Sequence, residues 1–187
     1  MREQTDRTAT VKDLIEENCH ELGQLVQLLQ SLTPAQYQQR SGVHGQHTIG
    51  KHVRHIIDHY DSFLQSLSSR SDNRLDYEHR ERDPALESDP LTAAMRLRKL
   101  STELGAHSEL SHTVALGMVH QEGDAHLTTP TSVGRELAFL SSHTIHHMAI
   151  LGLLVEAAGM TLPEEFGVHP STLRHWRRQR EQIGEAS

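Results

Sequence analysis

Four segments of the chain repeat apolar residues at every third or fourth position, which is the spacing of one face of an α-helix. They lie at about residues 8–32, 48–67, 90–105 and 131–158 of the 187 residues. Each segment carries enough apolar side chains to form a buried stripe against the others. The connections between them are rather long, as they are in many helical bundles. We therefore expect an all-α fold, specifically a four-helix bundle.

Residues at the ends of these segments support the same helices. Asp89 followed by Pro90 is a helix cap followed by a proline in the first turn, where its missing N–H costs nothing. Thr48 is a plausible cap for the second helix, and the fourth begins near Thr131 or Ser132. Gly159 is expected to end the fourth helix, because glycine tolerates the left-handed conformation found there.

The segment between the third and fourth helices has a different period. Val114, Leu116 and Met118 alternate with other residues, and Glu122-Gly123-Asp124 has the composition of a turn. This pattern predicts a short β-hairpin. The charged linker at 74–89 is interpreted as a solvated loop, or as a strap in which residues such as Tyr77, Arg80, Arg82 and Glu87 hold the loop onto the bundle.

Length and composition favour one domain, residues 1–187, with the bundle at about 8–158 and a C-terminal tail at 159–187. The chain has one cysteine, Cys19, which excludes an internal disulfide and favours a reducing, cytoplasmic setting. No apolar run approaches the roughly 20 residues of a membrane span, so we expect no membrane partner. The net charge of −7 argues against general binding to nucleic acid.

The unusual feature of the composition is its 16 histidines. On a helical wheel His143 and His147 lie about 40° apart, at the centre of the apolar stripe of the fourth helix. Burying two neighbouring imidazoles costs free energy unless each ring finds a partner. A metal ion would serve, because the H-x-x-x-H spacing presents two ring nitrogens on one side of a helix. Glu136 is two turns earlier on the same side and could support such a site.

A third ligand is expected from the second helix, since catalytic zinc-type sites usually have three protein ligands and an open position. His52, His55 and His59 lie along one border of its apolar stripe, and the wheel alone does not choose among them. The alternative is that all these rings are core histidines that hydrogen-bond to one another or to the backbone. His44 and His47 flank Gly45 in the preceding connection and could line the mouth of the site.

These motifs resemble the DinB-like superfamily of metal-binding four-helix bundles, which includes proteins similar to bacillithiol transferases. The segment "TIGKHVRH", Thr48 to His55, is similar to the opening of the family's second helix, and His143 and His147 match its H-x-x-x-H. The resemblance covers about residues 8–158. It implies a divalent metal held by His55, His143 and His147, with His59 as the second choice for the helix-two ligand. The metal would be zinc or nickel first, with iron or manganese as alternatives.

The resemblance also implies an activity. Metal-dependent thiol transfer and isomerisation with low-molecular-weight thiols occur in the superfamily, so we expect a metal-dependent transferase or hydrolase acting on a small molecule. Members of the superfamily commonly form homodimers. Groups that contact the substrate are expected in the linker segment at 76–83 or near His44 and His47. The catalytic residues themselves are not identified by the sequence. A non-catalytic metal-binding bundle remains an alternative.

A second alternative is a DNA-binding regulator. Residues 163–180 resemble a helix-turn-helix, with Gly167-Val168 at the turn and Arg174 and Arg178 on a basic second helix. Pro163 leaves too few residues for a first helix, which argues against this interpretation. The simpler hypothesis is that Phe166, Leu173 and Trp176 dock the tail on the bundle.

Overall fold

The computed structural model describes residues 9–68, 73–79, 81–122 and 125–184. Its helices are α1 (Val11–Ser31), α2 (Pro34–Tyr37), α3 (Ile49–Ser68), α4 (Ala85–Ser88), α5 (Pro90–Gly105), α6 (Val133–Ala157) and α7 (Pro170–Gly184). Its strands are β1 (Arg74–Leu75), β2 (Ala115–Glu122) and β3 (Ala125–Ser132). The chain is therefore mostly helical, and it carries one small sheet.

The caps predicted from sequence form at the predicted helix ends. The Asp89 side chain accepts hydrogen bonds from the backbone of Leu91 and Thr92 at the start of α5. Thr48 Oγ1 accepts from Lys51 N at 3.1 Å as α3 begins, and Ser132 caps α6. Gly159 has φ +76°, in the left-handed region, directly after α6. The predicted start of the first helix at Thr8 lies outside the described residues.

Four long helices surround one apolar core, since α1 and α3 each pack against both α5 and α6. Leu22, Leu25 and Leu29 of α1 are fully buried there, as are Leu97 and Leu100 of α5. Removing such side chains from water supplies most of the free energy that holds the helices together, at about 25 cal/mol per Å². The α3–α6 contact matters most for function, because both histidine-rich segments lie on these two helices.

The predicted hairpin is confirmed, and it is longer than expected. Strands β2 and β3 pair antiparallel over eight positions, from Ala115 opposite Ser132 to Glu122 opposite Ala125. The Gly123-Asp124 part of the predicted turn lies outside the described residues. The charged linker adds a third strand that sequence reasoning missed. This strand, β1, pairs in parallel with β2 and buries Leu75 completely.

The tail packs on the helices through its first half. Phe166 contacts the apolar core, and Gly167 N donates to Gln24 Oε1 of α1 at 3.4 Å. A Cβ at Gly167 would lie 2.8 Å from Cβ of Met148, so this backbone approaches α6 as closely as glycine allows. Residues 159–169 contain no helix, so α7 lacks the preceding helix that a helix-turn-helix requires.

By length and composition alone, helix α6 is long and apolar enough to cross a membrane. The search of the sequence for a run of consecutive apolar residues did not indicate this. The same property is normal in a central helix of a soluble protein, so it is weak evidence for a span. Here α6 packs against α1 and α3 and buries Glu136, Ser141 and Thr144.

Candidate metal centre

The histidine cluster is formed where α3 crosses α6. His52, His55 and His59 follow one another at intervals of three and four residues on α3, which places them on one side of that helix. His143 and His147 are four residues apart on α6 and face them. The apolar residues beside them, such as Ile56 and Leu140, are fully buried and fix the two helices against each other.

Three rings converge at the inner end of the cluster. His55 Nε2 lies 3.1 Å from His143 Nε2. The ring of His59 has its centroid 4.3 Å from those of both His55 and His143. One nitrogen from each of the three rings lies within 4.8 Å of the other two. Nitrogens bound to one zinc ion at about 2.0–2.1 Å are necessarily within about 4 Å of one another, so a small inward movement would bring all three to the same ion.

His59 is held by the backbone. Its Nδ1 lies 2.8 Å from the carbonyl oxygen of His55, and since a carbonyl only accepts, Nδ1 carries the proton. Its Nε2 is then left with a lone pair. The ring is only 7% exposed and stacks on Tyr77, with centroids 5.0 Å apart and planes at 20°. Sequence reasoning ranked His59 second on α3, whereas the geometry places it in the converging set.

His147 adjoins this set on its outer side. Its ring centroid lies 4.6 Å from those of both His55 and His143. Its Nδ1 lies 3.0 Å from Nδ1 of His52, and Nε2 of His52 lies 3.3 Å from Nδ1 of His47. Burial, followed by the nearby His143 and His52, lowers the pKa of His147 to about 3. The pKa of His52 is also lowered, chiefly by burial.

These low pKa values matter because only neutral imidazole offers a lone pair to a metal. The donor set, imidazole nitrogens from two rigid helices, is one that zinc, nickel and other divalent first-row metals accept. The residues present therefore fit a divalent ion. Of the two connection histidines, His47 reaches the cluster through His52, while His44 is exposed in a short turn at Val43–Gly45 with φ +63°.

A buried carboxylate supports the wall of the cluster. Glu136 is 0% exposed and accepts hydrogen bonds from Tyr77 Oη at 2.9 Å, from Thr131 Oγ1, and from Arg135 Nη1 at 2.7 Å. Tyr77 in turn stacks on His59, so Glu136 reaches the histidines through this tyrosine. The sequence indicated that Glu136 faces the site, but it gave no sign that Tyr77 would connect the two.

One side of the cluster has an aromatic wall with a cation above it. The Phe139 ring stacks on His143, with centroids 5.4 Å apart, and the Arg135 guanidinium carbon lies 5.3 Å from the centre of the Phe139 ring. The Arg135 side chain is 54% exposed. The charged linker thus contributes a wall residue through Tyr77. It also fastens itself to α3, because Glu87 Oε1 accepts from Arg54 Nε at 2.6 Å.

Two sizeable cavities lie elsewhere. One of about 1050 Å³ is lined by polar residues of α3 and α5, including Asp61 and Arg96. The other, of about 550 Å³, lies between α1 and residues 161–166 and includes Cys19. Neither is lined by a histidine of the cluster.

Comparison with known proteins identifies the family that this sequence matches. A family model described as the DinB superfamily matches residues 20–151. A protein of Rhizopus delemar named FK506-binding protein 5 is 32% identical over 108 residues, which cover 56% of this chain. The matched part is only 28% of the length of that protein.

Proposed function

Because the chain belongs to the DinB superfamily, we propose that it is a metal-dependent enzyme whose α3 and α6 hold one divalent ion. The observation that supports this most is the convergence of three imidazole nitrogens within 4.8 Å. The four long helices would form the four-helix bundle expected from sequence, with the metal at its α3–α6 contact.

We assign His55, His143 and His147 as the ligands. His55 and His143 belong to both possible sets, because their Nε2 atoms face each other at 3.1 Å. His147 completes the H-x-x-x-H pair and has a ring that adjoins both others, while its low pKa keeps it neutral. His59 is the competing third ligand, since its nitrogen lies in the converging set. Zinc or nickel is the first choice of metal, with iron or manganese as alternatives.

A metal held by three imidazoles keeps a coordination position open, where it would lower the pKa of a water or thiol and produce a nucleophile at neutral pH. The surrounding residues would do the rest. Tyr77 and Phe139 cover the rings of His59 and His143 and keep water from that side. The exposed guanidinium of Arg135 offers a cation to an anionic group of the substrate.

The substrate class we propose is a small molecule together with a low-molecular-weight thiol. The protein's own thiol is unsuited to the nucleophilic role, because burial raises the pKa of Cys19 and its Sγ lies 3.6 Å from the carbonyl oxygen of Ser101. A reactive thiolate would therefore come from the substrate. We also propose a cytoplasmic homodimer without membrane or nucleic-acid partners.

The first experiment is elemental analysis of protein purified without a nickel column. We expect about one divalent metal per chain. His55→Ala and His147→Ala should each remove most of it, and His146→Ala should not, because His146 is exposed at the edge of the cluster. Loss in His59→Ala with full occupancy in His147→Ala would show that the geometric set is correct and our assignment is wrong.

Activity is tested separately on the loaded protein. A screen of small thiols with electrophilic acceptors should reveal transfer that requires the metal and is lost in His143→Ala. Metal binding without any such turnover would favour the non-catalytic metal-binding alternative. Size-exclusion chromatography with light scattering tests the homodimer.

A further inference from the structure

The contact between His52 and His147 joins two Nδ1 atoms, at 3.0 Å. A hydrogen bond at this distance needs one ring to donate and the other to accept. Between two neutral rings the contact therefore requires different tautomers. The 3.3 Å separation between His52 Nε2 and His47 Nδ1 extends the same dependence to a third ring.

Only one direction of hydrogen-bond donation among these three rings is compatible with metal binding by His147. With Nδ1 turned to His52, the remaining nitrogen of His147 is Nε2, and it must be free of a proton to bind a metal. The proton of neutral His147 then resides on Nδ1 and is donated to His52 Nδ1. His52 consequently carries its own proton on Nε2, where it is donated to Nδ1 of His47.

From this geometry we propose that His52 is a positioning residue, which holds His147 as the Nδ1–H tautomer with Nε2 available to the metal, and that His47 holds His52 in turn. The inference rests on the proposed function, because it concerns the ligand role of His147. Ligand histidines in metalloproteins commonly donate their other ring N–H to a carboxylate, a carbonyl or water. Here an imidazole takes the place of that acceptor.

The positions of the three rings explain why this acceptor is needed. The His147 ring contacts His52, at 5.2 Å between centroids, and it also contacts His55 and His143, the other two ligands we assign. His52 is half-buried and His47 is exposed, so the chain of rings leads from the cluster to the surface. Without His52, His147 would be free to adopt the tautomer that buries its lone pair away from the metal.

The test compares His52→Leu with His52→Asn. Leucine fills similar space but accepts no hydrogen bond, whereas the asparagine carbonyl oxygen can take the place of His52 Nδ1. Zinc affinity is measured by competition with a chromogenic chelator. We expect His52→Leu to weaken binding about 10- to 100-fold and His52→Asn to restore most of it. His146→Leu is the matched control, because this exposed neighbour meets the His147 ring edge-on at 5.3 Å and should change little.

Imidazole ¹⁵N spectra provide a second readout that does not depend on metal or activity. In the metal-free wild type the His147 signals should show a protonated Nδ1, and in His52→Leu the proton should move to Nε2. A spectrum with Nε2 protonated in the wild type would overturn the inference, as would equal zinc affinity in the leucine, asparagine and control variants. If the wild type takes up no metal while its His147 carries the Nδ1 proton, the proposed function fails and the positioning contact stands.

Discussion

Helix α6 takes part in two buried polar regions that differ in how their polar atoms find partners. Between α1 and α3 it places Ser141 and Thr144 in a core network with Asn18, Glu21 and Tyr60. Toward α3 it places His143 and His147 in the histidine cluster. Both regions bury polar atoms in an otherwise apolar core, and both therefore need partners for those atoms.

The core network finds nearly all its partners within the protein. Tyr60 donates to Asn18 Oδ1 at 2.6 Å and lies 3.1 Å from Thr144 Oγ1, which must then be the donor. Asn18 Nδ2 donates to the carbonyl oxygens of Leu14 and Leu137. Ser141 donates to Glu21 Oε1 at 2.6 Å. Among the described residues, Glu21 Oε2 is the buried side-chain atom left without a partner.

The cluster differs because its nitrogens face one another. A neutral imidazole has one donor and one acceptor, and the Nε2 atoms of His55 and His143 face each other at 3.1 Å with a nitrogen of His59 nearby. A metal would accept the lone pairs of such converging nitrogens at one point. Burial alone therefore does not identify a functional polar group. The informative property is the convergence of several potential ligand atoms on one point, as in His55, His59 and His143.

The largest expected difference is in metal affinity, between variants of two adjacent residues of α6. His143→Ala should reduce metal affinity by more than about 100-fold, beyond the range seen for residues that only support a ligand. Thr144→Val should leave metal content unchanged and lower the free energy of unfolding by about 1 kcal/mol, because Tyr60 keeps only Asn18. Elemental analysis and urea unfolding of both variants check this. Equal metal loss in the two would remove the distinction between the regions.

Glu21 is expected to make the core network sensitive to pH. Burial raises its pKa from 4.5 to about 8, so the folded state retains a proton that the unfolded state releases above its ordinary pKa. The stability that this group contributes is therefore present below about pH 4.5 and is lost as pH rises through about 8. The slope reaches about 1.4 kcal/mol per pH unit.

The variant Glu21→Gln should flatten this dependence, because glutamine does not ionise. It should equal the wild type near pH 4.5 and exceed its stability at pH 8, where the wild-type carboxyl is charging. Urea unfolding at several pH values measures the difference. Parallel curves for the two proteins would mean that Glu21 ionises freely and that its network is open to water.

Metal removal should lower the melting temperature only near neutral pH. A metal at 100 times its Kd stabilises the folded state by about 2.7 kcal/mol, which is roughly 5–10 °C in Tm for a domain of this size. An unperturbed imidazole titrates near 6.5, so protons compete with the metal for imidazole ligands as pH falls through about 6 to 5, although the low pKa of His147 keeps that ring neutral there. A chelator should therefore lower Tm at pH 7.5 and change little at pH 5. The same shift at both values would favour ordinary core histidines.

Variants of Tyr77 distinguish what its ring contributes to metal affinity from what its hydroxyl contributes to the free energy of unfolding. Tyr77→Phe removes the hydrogen bond to Glu136 and keeps the ring that stacks on His59. We expect a loss of about 1.5 kcal/mol in the free energy of unfolding, with metal affinity unchanged. Tyr77→Ala should lower both. Reduced metal affinity in the phenylalanine variant would show that the hydroxyl, rather than the ring, orients His59.

Helices α1, α3, α5 and α6 were predictable because their signals are local. An apolar residue every third or fourth position requires a helix wherever a core is available, and Asp89 and Thr48 cap helices with hydrogen bonds to their own next turn. The hairpin was predictable from alternation for the same reason. Strand β1 was not, because its two residues pair with β2, more than 40 positions away, and nothing in the charged linker marks that register.

The sequence by itself determined that α3 and α6 would each present histidines to a common core, since spacing along one helix fixes which side chains share a face. It did not determine which nitrogens meet. That depends on how far α3 is shifted along α6, and the shift is decided by the packing of apolar side chains from all the helices at once. Only the tertiary structure therefore brought His59 to His55 and His143, paired His52 with His147, and placed Tyr77 between the cluster and Glu136.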